Sequence, residues 1–196
     1  MPRRCFAFIL AAVAAVAAAC GGSRAPASPE PKPTPAPRPP VFVPLPDAST
    51  MAIVRMANNV ELAYTIIAAR RATTSSVKAL VRRERTSHTA LNASLERIAK
   101  RLDVELEDNE VSLLLRDQSL PRRDSLRALS GRRFDSAYVD VAVRSHRELL
   151  VAIDSVFLRS VKHPALAAYL TDSLRPVISA HLVQAERLQS LLTPRQ

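Results

Sequence analysis

Val77, Val81, Glu84, His88, Leu91, Leu95, Ile98 and Leu102 follow one another in steps of four and three without a break. A helix turns once in about 3.6 residues, so this spacing puts them on one face and predicts a long helix over about 74–102. Ile53, Met56, Val60, Ala63 and Ile67 predict a helix over about 48–72 in the same way. Val139, Ala142, His146, Leu149, Ile153 and Val156 predict another over about 132–162, and Phe134, Tyr138 and Val141 give it a second apolar flank, so it should be buried broadly. Leu170, Leu174, Val177, His181, Gln184, Leu188 and Leu191 predict a last helix over about 164–193, with Pro164 in the first turn, where a missing amide proton costs nothing. Pro176 inside it removes a bond to the Asp172 carbonyl and should bend it.

Four long helices predict an all-α fold, a four-helix bundle. The first and second are joined by a few residues near Thr73 to Ser76, and the third and fourth by a few near Lys162 and His163, so each pair should form a hairpin. Between the pairs lies the stretch 103–131, with room for a short extra helix begun by Pro121 and ended by Gly131. One long crossover between two hairpins is the ferritin-like arrangement. The bundle domain is assigned to residues 47–196, a length sufficient for one core.

The residues before it read differently. Met1-Pro2-Arg3-Arg4, an apolar run over 5–19 and the Ala17-Ala18-Ala19-Cys20-Gly21 sequence together resemble a bacterial lipoprotein signal, with 1–19 as the removed peptide and Cys20 as the acylated first residue. Residues 20–46 contain ten of the fifteen prolines and predict an extended spacer at about 3 Å per residue. Gly21 and Gly22 offer no aspartate retention signal, which points to the outer membrane facing the periplasm, with a soluble periplasmic product as the alternative. Cys5 would leave with the signal and Cys20 would carry lipid, so no thiol remains for a disulfide, a zinc-thiolate site or a nucleophile.

The net charge of +10 comes almost wholly from arginine, clustered at Arg70-Arg71, Arg82-Arg83-Arg85, Arg122-Arg123 and Arg132-Arg133. No aromatic residues interleave with these clusters as a nucleic-acid platform requires, so most of them read as solvated helix faces, and the expected partners are the membrane, through the N-terminal lipid, and envelope polyanions, with no nucleic acid. There is no Gly-rich phosphate loop, no Gly-x-Ser-x-Gly elbow and no His-Glu-x-x-His, and no catalytic set is expected.

His88, His146 and His181 each fall on the apolar stripe of a different helix, where bundles build metal sites from inward-pointing ligands. Neutral imidazoles suit zinc, copper or iron, and Glu61 or Glu84 could add an oxygen ligand. The alternative is structural: core histidines bonded to Glu84, Tyr138 or Ser145, since a buried imidazole needs a partner. The Glu-x-x-His pair of a carboxylate di-iron site is absent, because Arg85 precedes His88 by three residues and Ile178 precedes His181. His163, in a turn ahead of Pro164, is expected at the surface.

Phe134-Asp135-Ser136-Ala137-Tyr138 with His146 eight residues on, Pro176 with His181 five residues on, His88-Thr89 and Asn59-Val60-Glu61 resemble the bacterial family numbered 4142 among domains of unknown function. The resemblance covers about residues 48–193 and implies a ferritin-like envelope protein, with no activity to carry over. Ser87-His88 stands where the family has an Asp-His pair. The expected function is a non-enzymatic, lipid-anchored bundle acting by binding; the alternative is a metal-binding ferritin-like protein.

Overall fold

The prolines of the spacer end at Pro46, and helix α1 (Asp47–Arg71) begins on the next residue. In this computed structural model residues 42–192 are described, all within the unit Val41–Gln196. Cys20, the expected signal over 1–19 and most of the proline-rich stretch lie outside them. Asp47 sits in the first turn of α1, where a carboxylate complements the helix dipole. Its two oxygens also accept the backbone N–H groups of Lys162 and His163, both at 2.9 Å, so the start of α1 is held by a loop more than a hundred residues away.

Helix α2 (Ser75–Arg101) is capped by Thr74, whose hydroxyl accepts from the Val77 amide at 3.4 Å. The turn before it is fixed by Asp135: its carboxylate accepts from the Thr73 amide, the Thr73 hydroxyl and the Thr74 amide at 2.9, 2.7 and 2.8 Å.

The crossover carries more helix than the sequence suggests. Helix α3 (Glu110–Ala128) starts eleven residues before Pro121, which lies inside it. The start signal is a capping box: Asn109 accepts from the Ser112 amide, and the Ser112 hydroxyl accepts from the Asn109 amide. Gly131 does not end this helix. It opens helix α4 (Gly131–Ala152) with a φ of +61°, a conformation that strains residues with a Cβ.

Neither of the last two predicted helices is a plain α-helix. After α4 come a π-helical segment, Ile153–Phe157, and one α-turn, α5 (Leu158–Ser160). The return starts with α6 (Pro164–Ala168), capped by the His163 imidazole, which accepts from the Ala165 amide at 3.2 Å. A second π-helical segment, Tyr169–Leu174, then leads into α7 (Arg175–Leu192). Pro176 lacks the amide proton that an α-turn would use on the Asp172 carbonyl. The expected bend therefore takes the form of a wider turn just before the proline, with the Arg175 amide donating to the Leu170 carbonyl five residues back.

All secondary structure among the described residues is helical. Helix α1 packs along α2, α4 packs along α7, and α3 lies chiefly on α1. The predicted stripes face inward with one exception: Leu191 is 65 % exposed, beyond the last inward turn of α7.

The interior is divided. One apolar cluster holds Tyr64, Val81, Val143 and Ala185, and a second holds Val54, Leu91, Ile153 and Ile178. Along each long helix the passage from one cluster to the other crosses buried polar residues: Asn58 and Glu61 on α1, Glu84 and His88 on α2, His146 on α4 and His181 on α7. Burying polar groups costs free energy unless each finds a partner, so this layer between two apolar cores is where chemistry is to be sought.

Candidate metal centre

His88, His146 and His181 come from α2, α4 and α7, and each ring is at most 1 % exposed. Their centroids lie 5.6, 5.3 and 5.2 Å apart for the 88–146, 88–181 and 146–181 pairs. One ring nitrogen from each falls in a group whose members are within 4.8 Å of one another. Metal–nitrogen bonds near 2 Å put tetrahedral ligands about 3.3 Å apart, so modest contraction would bring this set to bonding distance.

The outer hydrogen bonds decide which nitrogen carries a lone pair. Asn58 Nδ2 donates to Asn92 Oδ1 at 2.9 Å, and Asn92 Nδ2 donates to Asn59 Oδ1 at 2.8 Å. That chain turns Asn58 Oδ1 toward His88 Nδ1, 2.9 Å away, so Nδ1 carries the proton and Nε2 the lone pair. His146 Nδ1 lies 2.7 Å from the Ala142 carbonyl and must donate to it, which leaves its Nε2 as an acceptor too. Two of the three imidazoles thus have their tautomer set from outside the cluster, the usual arrangement around metal-ligating histidine. His146 Nε2 is 3.2 Å from His181 Nδ1.

Glu84 stands one turn before His88 on α2 and is 1 % exposed. Its Oε2 accepts the Tyr138 hydroxyl from α4, while its Oε1 is 4.0 Å from His146 Nε2. Glu84 is not one of the three residues in the histidine group, but it and His88 each hold a buried atom of this layer with no hydrogen-bond partner, Glu84 Oε1 and His88 Nε2. His88 Nε2 is an acceptor, and Glu84 Oε1 is one whenever the carboxyl is ionised.

Electrostatics keep the His88 and His181 rings neutral. Burial, then the neighbouring His146 and His181, pushes His88 well below the ordinary imidazole range. Burial, with His146 and Arg83, lowers His181 to about 3. Burial raises Glu84 to about 7, against the pull of His146 and the Tyr138 hydrogen bond. Tyr138 is pushed far up, by burial first and by the Glu84 charge second, so it stays a phenol.

Glu61 lies outside the histidine group. It is buried on α1 with its carboxyl in the field of His146, and burial raises it above the usual carboxylate range despite that attraction. His163 is exposed and serves as a cap, while Cys20 falls outside the described residues. Of the structural partners expected of the histidines, Tyr138 is engaged with Glu84 and Ser145 with the Val141 carbonyl, while Glu84 comes within 4.0 Å of His146 Nε2. Asn58 and Asn92 were missed by sequence reasoning. Their signal is an asparagine inside a predicted helix, which must find a partner if it faces inward.

The residues carrying the resemblance acquire physical roles here. Phe134 is buried in the first apolar cluster, Asp135 fixes the α1–α2 turn, and Tyr138 holds Glu84. Arg82, Arg83, Arg85, Arg70, Arg71, Arg132 and Arg133 are exposed, and no described helix is long and apolar enough to cross a membrane. No curated protein and no solved structure matches the chain. The family model described as domain of unknown function (DUF4142) matches residues 31–188, and the chain belongs to that family.

Proposed function

We propose that this domain is a ferritin-like four-helix bundle that binds one transition-metal ion through His88, His146 and His181, with Glu84 as a fourth ligand. The observation that carries the reading is the pair of orphaned acceptors, His88 Nε2 and Glu84 Oε1, at a cluster of three buried imidazoles. A histidine network that served only to fix helix register would leave neither atom without a donor, because each unmet buried acceptor costs about 1–3 kcal/mol. A metal held by the three histidines, with Glu84 drawn in as the fourth ligand, would satisfy both.

Three neutral imidazoles and one carboxylate suit zinc or copper better than a carboxylate-rich iron pair. When bound, such an ion supplies Lewis acidity and, for copper, redox chemistry. The chain's part is to hold the ligands: the Asn58–Asn92–Asn59 relay orients His88, the Ala142 carbonyl orients His146, and the Tyr138 hydroxyl holds Glu84. The two hairpins, α1 with α2 and α4 with α7, joined by the α3 crossover, support the ferritin-like reading of the topology.

The reading extends to the chain as a whole: an envelope lipoprotein, acylated at Cys20 and held off the outer membrane by residues 20–46, acting by binding. Elemental analysis of the purified full chain tests the centre, with close to one zinc or copper per chain expected; protein that takes up neither ion on dialysis overturns it. Fractionation of Cys20→Ala tests the anchor, and a mutant that stays in the membrane fraction overturns that part alone.

A further inference from the structure

Between α1, α3 and α4 lies a cavity of about 280 Å³ that the metal centre does not use. It exists because the inward side of α3 is small: the buried residues of that helix are Ser112, Ser119 and Leu126, where a core helix would carry a row of large side chains. Ser119 lines the cavity, and its hydroxyl is already bonded to the Arg116 carbonyl at 2.6 Å. Ile53 and Val60 from α1, Val111 and Leu115 from α3, and Leu149 from α4 make most of the remaining wall.

The surface of this space is mostly apolar, and Gln118 and Ser145 stand among the polar residues that line it. Arg122 and Glu148 pair at 3.6 Å with their side chains partly in solvent, so the rim carries both signs. Glu61 is on the wall toward the histidines and lies in the field of His146. Tyr64 is different: it is 1 % exposed, and its hydroxyl has no partner in hydrogen-bonding geometry, with the Arg122 guanidinium near enough to act on it. A buried hydroxyl left unmet costs free energy that a ligand could recover.

The chemistry of an occupant follows. A volume of 280 Å³ is at the small end for organic ligands and has no room for a helix about 10 Å across. Arg122 and Glu148 are paired at the rim, so a carboxylate drawn to Arg122 is repelled by Glu148 and an ammonium drawn to Glu148 is repelled by Arg122, and neither sign is favoured. We propose that the cavity between α1, α3 and α4 binds a small uncharged molecule with an apolar body and a single hydroxyl or carbonyl, which hydrogen-bonds the Tyr64 hydroxyl. This site stands independently of the metal reading.

The test is calorimetric titration of the full chain, with and without zinc, using 1-octanol, octanoate and octylammonium as probes. Octanol should bind saturably at one site per chain, and both charged probes at least tenfold more weakly. Tyr64→Phe keeps the wall and removes the hydroxyl, and should weaken octanol about fivefold to tenfold, the worth of one neutral hydrogen bond. Ser119→Leu and Ala57→Phe fill the space from opposite walls and should each abolish the octanol heat while helical melts show the chain folded. The proposal is overturned if wild type gives no saturable octanol binding, if binding survives a folded filler variant or is unchanged in Tyr64→Phe, or if either charged probe binds as tightly as octanol.

Discussion

The Tyr138 hydroxyl donates to Glu84 Oε2, which leaves the other oxygen of that carboxylate to face His146. This link joins α4 to α2 inside the polar layer and divides the work of one carboxyl group between two neighbours. Tyr138→Phe should cost about 1–3 kcal/mol in denaturant melts of the metal-free protein, because a buried acceptor loses its donor. It should also weaken zinc or copper binding by roughly 10- to 100-fold, as loss of an outer hydrogen bond does at metal sites. Unchanged affinity would show that Glu84 takes no part in the centre.

Replacing His181 by Ala should remove metal binding and leave the metal-free domain folded. In wild type, zinc or copper at a hundredfold excess over Kd should raise the melting temperature by roughly 5–10 °C, and the variant should show no rise. Scanning calorimetry of both proteins, with and without each ion, measures this directly. A wild-type melt indifferent to both ions sinks the metal reading for them.

Glu84 gives stability a pH dependence of unusual sign. Burial raises its carboxyl from an ordinary value of about 4.5 to about 7, so between these values the folded chain holds a proton that the unfolded chain has released. Stability from this group is therefore greatest at the acid end and declines as pH rises to about 7. Relative to wild type, metal-free Glu84→Gln should gain up to about 3 kcal/mol between pH 4.5 and 7. His88 and His181 act in the opposite sense in both proteins: their folded values are depressed, and the stability they confer as neutral rings is lost as pH falls below about 6.5. Parallel stability profiles for the two proteins across this window would mean that the Glu84 carboxyl is not raised.

Asp135 should matter for folding more than for chemistry. Burial alone would push its carboxyl up, but donors from Thr73 and Thr74 outweigh this and hold it below the usual range. Asp135→Ala strands those donors in the α1–α2 turn and should cost about 3 kcal/mol or more in urea titrations. Loss of under half a kcal/mol would show that water replaces the carboxylate there.

The legible part of the sequence was its periodicity. Steps of four and three located α1 and α2 to within a residue at most ends, since apolar spacing reports the buried face directly. Pro121 is a misleading start signal for α3, because a proline is tolerated within a helix whose exposed side can accommodate the lost bond; the true start rests on Asn109 and Ser112, a cap without the usual glutamate. The three histidines were readable as inward-facing, but their convergence was not. Whether His88, His146 and His181 meet depends on how far each helix has slid along its neighbours, and no single helix encodes that. Asn58 and Asn92 were overlooked for a related reason, since each makes sense only through a residue some thirty positions away.

The two π-helical segments give the α4–α7 hairpin a phase of its own. Each wide turn takes up about one residue more than an α-turn, and one residue is about 100° of rotation around a helix. The direction in which His181 points is thus set partly by a count of residues in Tyr169–Leu174, and not only by the side chains around it. In a chain one residue shorter in that segment, the leucines before it and the histidine after it would no longer share the same side. For this hairpin, length is a form of specificity, and a sequence comparison that slides a gap through 169–174 erases the geometry it is trying to align.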